Sequence, residues 1–166
     1  MSKRSRNELI FEFIDAVRAS QTAVDMLDEA VGEYLGLHRT DMRCLDILDR
    51  EGPMPAGQLA EQARVSPAAM TAVLDRLEQK GLARRVRDTE DRRRVLVEVT
   101  EEMRKGAAEL YGPPEEAGQG LAMYTDEQLE FLIEFLRRDV AFQEDRMRRL
   151  EELKTRAATD ETPQAE

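Results

Sequence analysis

The sequence has few of the residues that build most catalytic and metal-binding sites. Its 166 residues include one cysteine, one histidine and no tryptophan, and only 5% are aromatic. A single cysteine, Cys44, excludes an intramolecular disulfide framework and is compatible with a reducing compartment. No histidine, cysteine and acidic residues stand at metal-ligand spacing, and no glycine-rich phosphate loop follows a strand. We therefore expect no metal, no cofactor and no catalytic residue, that is, a protein that is not an enzyme.

Long apolar runs are also missing. The early stretch Ile10–Ile14 is interrupted by Glu12 and followed by Asp15. No segment approaches the roughly 18–20 apolar residues that a membrane span requires, and none has the apolar core of a signal peptide. We expect a soluble, cytoplasmic protein with no membrane partner.

The net charge is −10, but the arginines are concentrated in one segment. From Arg64 to Arg94, nine lysines and arginines stand against five acidic residues, so this segment carries +4 and the remainder −14. Six of the seventeen residues from 84 to 100 are arginine. An acidic body with one basic face can bind a polyanion there, while repulsion elsewhere disfavours wrong poses.

The segment before the basic run has the pattern of short helices separated by tight turns. Thr40 is predicted to cap one helix, and a second follows over about Ala56–Arg64. Ser66 can cap a third helix, and Pro67 suits its first position, where a missing N–H costs nothing. Gly81 is suited to a left-handed stop at its end. This arrangement predicts a helix-turn-helix.

After this third helix the apolar pattern changes from a period of 3.6 to a period of 2. The alternation around Val95, Val97 and Val99 predicts a β-strand, with Leu82–Arg87 as its partner and Asp88–Arg92 as the connecting tip. A two-stranded hairpin is marginal alone, so this one must pack on the neighbouring helices as a wing. A helix for the major groove beside a cationic loop suits duplex DNA; a solvated charge cluster is the alternative.

Amphipathic helices flank this core. Val17, Val24 and Val31 recur at seven-residue spacing in a helix predicted over 7–35, and such a stripe needs a partner surface. A second long helix is predicted to begin at the capping box Thr125–Gln128, and it carries two apolar rows. We interpret both helices as dimerisation elements; for the first, packing on its own chain is the alternative.

The predicted fold is mainly α with a small two-stranded β-wing. Its parts are an N-terminal dimerisation helix over 1–35, a winged helix-turn-helix core over 36–100, C-terminal dimerisation helices over 101–156 and a disordered acidic tail over 157–166.

The segment Leu59–Arg85 resembles the DNA-binding core of the MarR (multiple antibiotic resistance regulator) winged-helix repressors. Asp91–Arg93, followed by Val97–Thr100, is similar to that family's wing signature. The resemblance covers roughly 39–100, and the flanking helices match only in arrangement. It implies a homodimeric, sequence-specific transcriptional regulator, more often a repressor, on a pseudo-palindromic operator with half-sites about one helical turn apart.

By position, the resemblance assigns DNA contacts to the third helix and to the wing. The residues expected to face the major groove are Ser66, Ala68, Ala69, Thr71, Ala72 and Arg76. Asp91 is expected to hold the wing, and Arg93 to reach the minor groove. The arginines expected to neutralise phosphates are Arg84, Arg85, Arg87, Arg92 and Arg94. Many relatives have an arginine where this chain has Ala72. The alanines are also good helix formers on an exposed face, and Ser66 is first of all a helix cap.

Family members often release DNA when a small, commonly aromatic or phenolic molecule fills a crevice between the dimer helices and the DNA-binding core. The resemblance implies that the crevice lining includes Tyr34, Met42, Leu45, Met103 and Tyr111, although burial in a core explains each equally well. His38 is expected to be structural. The alternative function is a winged-helix scaffold used as a protein–protein interaction module without specific operator binding.

Overall fold

The computed structural model describes residues 4–160, apart from the side chains of residues 114, 117 and 158–160. Its elements in chain order are α1 (Arg6–Leu35), α2 (Arg39–Glu51), α3 (Ala56–Ala63), α4 (Pro67–Gln79), β1 (Ala83–Arg87), β2 (Val95–Val99), α5 (Glu101–Tyr111), α6 (Pro114–Leu121) and α7 (Asp126–Asp160). The predicted class, mainly helical with a two-stranded antiparallel wing, is confirmed. The chain divides at residue 113 into two compact units.

The core of the first unit lies between α2, α3, α4 and the hairpin. Leu48, Leu59, Leu77 and Val97 come from these four elements and are almost completely buried. On α4 the buried residues recur every three or four positions, as the predicted apolar stripe requires. Each fully buried side chain of this kind contributes about 1.5–3 kcal/mol relative to leaving it exposed.

Two predicted helix starts have different outcomes. Ser66 caps α4 as expected, because its hydroxyl accepts the backbone N–H of Ala69 (3.2 Å), and Pro67 is the first residue of the helix. The prediction that Thr40 caps α2 is wrong: the cap residue is His38. Its backbone N–H donates to the carboxylate of Asp41 (2.9 Å), which stabilises a start two residues earlier.

The hairpin is anchored to the rest of the unit by backbone contacts. Its register pairs Ala83 with Val99 and Arg85 with Val97. Beyond that ladder, Met54 in the link between α2 and α3 exchanges two backbone hydrogen bonds with Val97, at 3.1 and 2.8 Å. The Thr100 hydroxyl also donates to the Gly81 carbonyl (2.7 Å). These contacts explain how a two-stranded wing remains in place.

The second unit contains a helix that the sequence pattern did not predict. The Gly-Pro-Pro run at 112–114 interrupts the helical pattern in the sequence, yet α6 begins at Pro114, with Glu115 and Glu116 in its first turn, where acidic residues are favoured. The capping box before α7 is confirmed, because Thr125 and Gln128 exchange hydrogen bonds at 2.9 and 3.3 Å. Helix α7 continues to Asp160, four residues into the segment predicted as a tail over 157–166, and 161–166 lie outside the described residues.

No helix in the described part of the chain combines the length and apolarity needed to cross a membrane.

Candidate nucleic-acid interface

The outer face of α4 is small and exposed. It lies opposite the buried stripe of that helix, and its exposed members are Ser66, Ala68, Ala69, Thr71 and Ala72. Thr71 is exposed and donates its hydroxyl to the backbone carbonyl of Pro67 (3.2 Å), which leaves the hydroxyl oxygen available as an acceptor. Side chains this short let a helix backbone approach a groove closely. The structure therefore brings together five of the six residues expected to face the major groove.

The sixth residue, Arg76, is held in a different environment. Its Nε and Nη2 atoms donate to the two carboxylate oxygens of Asp41, at 3.1 and 2.7 Å. The Asp41 side chain is 0% exposed and that of Arg76 is 35% exposed. Because this bidentate pair turns the guanidinium toward α2, Arg76 does not extend from the helix as the long, free donor that the sequence suggested.

Asp41 is the residue that sequence reasoning missed. Burial acts to raise the pKa of this carboxyl, but hydrogen bonds from Arg76 and from the His38 backbone outweigh burial, so the pKa lies below its ordinary value. The available signal was its spacing: Asp41, Cys44 and Leu48 recur on one helical face, and all three are buried. Cys44 is therefore part of the core.

The tip of the wing is ordered by two aspartates through backbone contacts. Asp91 accepts the backbone N–H of Arg93 on its carboxylate (3.0 Å) and the N–H of Arg94 on its carbonyl (2.8 Å). Asp88 accepts the N–H of Glu90 (2.8 Å). Such local turns fix the direction of the loop before any ligand binds.

The six arginines of the wing divide into two sets. Arg84 pairs with Glu98 across the hairpin, Arg85 pairs with Glu78 and Asp75 of α4, and Arg94 lies 3.8 Å from Asp88. Within residues 4–160, no ion pair is formed by Arg87, Arg92 or Arg93. The uncompensated positive charge is therefore concentrated toward the outer end of the wing.

A groove of about 960 Å³ lies between α1, α2 and α5. Met42, Leu45, Met103 and Tyr111 line it, and Tyr34, the fifth residue expected there, does not. Tyr34 is instead 78% exposed. The Tyr111 hydroxyl donates to Asp28 (2.8 Å), which links α5 to α1. Burial, and then the Asp28 carboxylate, raise the pKa of Tyr111, so this phenol stays protonated and serves as a donor.

The walls of this groove are predominantly acidic. Its acidic lining residues are Asp25, Asp28, Glu29, Glu33, Asp46 and Asp49. Of the two lining arginines, Arg39 pairs with Asp25 (3.0 Å), and Arg43 donates to the Ala63 carbonyl (3.1 Å). The groove thus combines an apolar floor with an excess of negative charge. In the part of the chain that the structure describes, no group of three histidine, cysteine or acidic residues is arranged to hold a metal ion.

Comparison with known proteins assigns the chain to a family. The MarR family model matches residues 37–95. The chain is 33% identical over 152 residues to the uncharacterised HTH-type transcriptional regulator YcgE of Bacillus subtilis (strain 168), covering 91% of this chain and 99% of YcgE.

Solved structures agree with this assignment in fold. A MarR family transcriptional regulator from Silicibacter pomeroyi is 24% identical, with a TM-score of 0.57 over 85% of this chain and 95% of that one. NadR, whose crystal structure contains 4-hydroxyphenylacetate, is also 24% identical, with a TM-score of 0.52 over 83% of this chain and 96% of NadR. The relatives are transcriptional regulators and not enzymes. The chain belongs to the MarR family of winged-helix, DNA-binding transcriptional regulators.

Proposed function

We propose that the chain acts in the cytoplasm as a homodimeric repressor that binds a pseudo-palindromic operator. Helix α4 enters the major groove and the wing reaches the adjacent minor groove. The observation that carries this proposal is the small exposed face of α4 beside an ordered wing, in which Arg87, Arg92 and Arg93 form no ion pair with any residue that the structure describes. A repressor of this design acts by occupying promoter DNA.

Helix α4 and the wing contribute to DNA binding in different ways. Thr71 and the alanines of α4 supply hydroxyl and methyl contacts at base edges, which carry sequence information. The wing arginines neutralise phosphates, which is sequence-independent and salt-dependent. Arg93, whose backbone is held by Asp91 (3.0 Å), suits the narrow minor groove of A·T-rich DNA.

A second copy of the chain is the partner that the long helices require. Exposed large apolar side chains lie along α1 and α7, and they include Leu9, Ile10, Phe11, Phe13, Ile14, Phe131, Leu136, Val140, Phe142 and Leu150. Apolar patches of this extent are rare on monomers. Two-fold pairing would also place two recognition helices on half-sites about one helical turn apart. Sedimentation should give a dimer at micromolar concentration, and a fully folded monomer under those conditions would refute this part.

The proposed effector is a small molecule that binds in the groove between α1, α2 and α5. NadR provides a precedent for a small aromatic ligand in a protein of this fold. The acidic walls here favour a cationic polar group on an aromatic body, because an anion would meet Asp28 and Asp46 beside Tyr111. Binding must favour a dimer with the wrong separation of recognition helices, since a ligand indifferent to both states shifts nothing.

Fluorescence anisotropy on a fragment of the gene's own promoter tests the operator proposal. A scrambled fragment of equal length and composition is the matched control, and both are titrated across a salt series. We expect tighter binding to the promoter fragment at every salt concentration. Equal affinity for both fragments would remove the operator proposal and favour the protein-interaction alternative.

The effector proposal is tested with two probes of the same shape, phenethylamine and phenylacetate. We expect the amine to release the promoter fragment at lower concentration than the acid. The reverse order would overturn the charge preference, and no release by either probe would count against this groove as an aromatic-ligand site.

A further inference from the structure

The C-terminal end of α4 is tied to the corner at which α1 turns into α2. Lys80, the C-terminal cap residue of α4, donates its Nζ to the backbone carbonyl of Leu35, at the end of α1 (2.7 Å). One turn earlier on α4, Arg76 holds Asp41 in the first turn of α2. We call these two ties, Lys80 to Leu35 and Arg76 to Asp41, the corner clamp.

The Lys80 tie satisfies a group that α1 leaves open. The last carbonyls of a helix have no intrahelical partner and carry the negative end of its dipole, so an ammonium group is stabilising there. The next residue, Gly36, is left-handed (φ +61°), and a Cβ at that position would lie 3.3 Å from the Lys80 Nζ. The corner is thus built so that the lysine can approach closely.

The Arg76 tie is directional as well as electrostatic. The Asp41 carboxylate is completely buried and accepts three hydrogen bonds, two from Arg76 and one from the His38 backbone. A bidentate pair fixes the plane of the guanidinium as well as its distance, which a single contact does not. Two ties one helical turn apart restrict both the rotation of α4 about its axis and its movement along that axis.

We propose that the corner clamp sets the orientation in which α4 is presented to DNA, so that Arg76 and Lys80 are positioning residues and not DNA contacts. The corner also forms one wall of the groove, through Leu35, Leu37 and His38. The clamp therefore joins this wall of the groove to α4. This second role, the transmission of groove occupancy to DNA, rests on the proposed effector, whereas the positioning role does not.

The positioning role is tested with Asp41→Asn, Arg76→Gln and the double variant, by measuring affinity for the promoter fragment and for scrambled DNA across a salt series. Glu51→Gln with Gln62→Ala is the matched control, because the hydrogen bond from Gln62 to Glu51 (2.8 Å) also joins α2 to another helix but involves neither α4 nor the groove. Circular dichroism and titration of the active fraction monitor folding. Lys80→Met is the second arm, since it breaks the other tie without leaving a buried charge.

We expect Asp41→Asn to weaken promoter binding by about tenfold, although no part of Asp41 is exposed to touch DNA. Arg76→Gln should reduce promoter affinity by a similar factor. The double variant should reduce it no more than either single variant does, because the two residues act as one unit. Scrambled-DNA affinity and the salt slope should stay unchanged, as in the control. Lys80→Met should also reduce promoter binding relative to scrambled DNA.

Two results would overturn the positioning role. If Arg76→Gln lowers the salt slope by about one while Asp41→Asn binds like wild type, Arg76 is a phosphate contact. If both DNAs lose affinity in proportion to the unfolded fraction, the pair only stabilises the fold.

The transmission role is tested with phenethylamine on Lys80→Met. We expect calorimetry to show unchanged binding of the amine while its effect on promoter affinity falls. An unreduced effect would overturn transmission through the clamp. If neither probe releases DNA from the wild-type protein, the effector proposal and the transmission role both fail. The promoter measurements on the clamp variants would still decide the positioning role.

Discussion

The outer end of the wing and the C-terminal end of α4 both carry arginine, but the structure gives the two regions opposite surroundings. Arg92 and Arg93 lie on an exposed tip and have no ion-pair partner among the described residues. Arg76 is held by a carboxylate that solvent does not reach. A count of arginines treats them alike, whereas their partners decide which charges are available to a polyanion and which position the protein's own helices.

The largest expected difference between the clamp at the end of α4 and the tip of the wing is in the free energy of unfolding. Asp41→Asn should lower the free energy of unfolding by about 3 kcal/mol, the low end for breaking a buried pair, because Arg76 keeps some access to water. Arg93→Ala should change it by less than about 0.5 kcal/mol, since the side chain is exposed. Urea unfolding of both variants provides the measurement. Equal losses would erase the distinction between the two regions.

The next effect is on DNA affinity at the wing. Arg93→Ala should weaken binding to sites flanked by A·T pairs by about 1–3 kcal/mol, the usual range for a specific contact. The reason proposed is that the Arg93 backbone is held by Asp91, and the side chain forms no ion pair within residues 4–160 that would have to break on DNA. Anisotropy titrations on A·T-flanked and G·C-flanked sites compare the loss directly. An unchanged dissociation constant on both would refute the assignment of Arg93 to the minor groove.

A smaller difference is expected between two arginines within the wing. Arg92→Ala should reduce the magnitude of the salt slope of binding by about one, as for the loss of one phosphate contact. Arg84→Ala should reduce it by less, because Glu98 already compensates Arg84 at 2.6 Å. The slopes of log affinity against log salt concentration make the comparison. A larger reduction for Arg84→Ala would show that the cross-strand ion pair opens on DNA.

The smallest expected effect is the pH dependence of stability due to Asp41. Its pKa lies below the ordinary value of 3.8 in the folded protein, so its ionised form is favoured by folding. The stabilisation is fully present above about pH 5 and is lost as the pH falls through the lowered pKa. Urea midpoints between pH 7 and pH 3 should fall less steeply for Asp41→Asn than for wild type. Parallel curves would mean that the pair does not perturb this carboxyl.

The features that the sequence predicted well depend on short-range chemistry. Helices begin after Ser66 and Thr125 because each hydroxyl accepts the backbone N–H three residues later, from Ala69 and Gln128 respectively. The period-2 pattern at Val97 and Val99 predicted the second strand for the same reason, since alternation alone specifies which face is buried. The mainly helical fold with its wing follows from such local signals.

The features that the sequence could not predict depend on distant residues or on competing local choices. Arg76 and Asp41 are 35 residues apart, so their pairing exists only after α2 and α4 pack together. At the start of α2, Thr40 is a good cap by residue type, but the reach of Asp41 to His38 selects the earlier start. The resemblance implies that Tyr34 lines the groove, but where it stands on α1 its side chain is 78% exposed and does not line it.

The fully buried thiol in the middle of α2 has a practical consequence. Burial, followed by the nearby Asp41 carboxylate, raises the pKa of Cys44 to about 11, so the reactive thiolate is scarcely populated at neutral pH. Alkylating reagents should then modify the protein only when α2 separates from the core. Because Cys44 is the only cysteine in the sequence, iodoacetamide can alkylate no other thiol. The labelling rate therefore reports how often the domain opens, and mass spectrometry can measure it in the presence and absence of DNA.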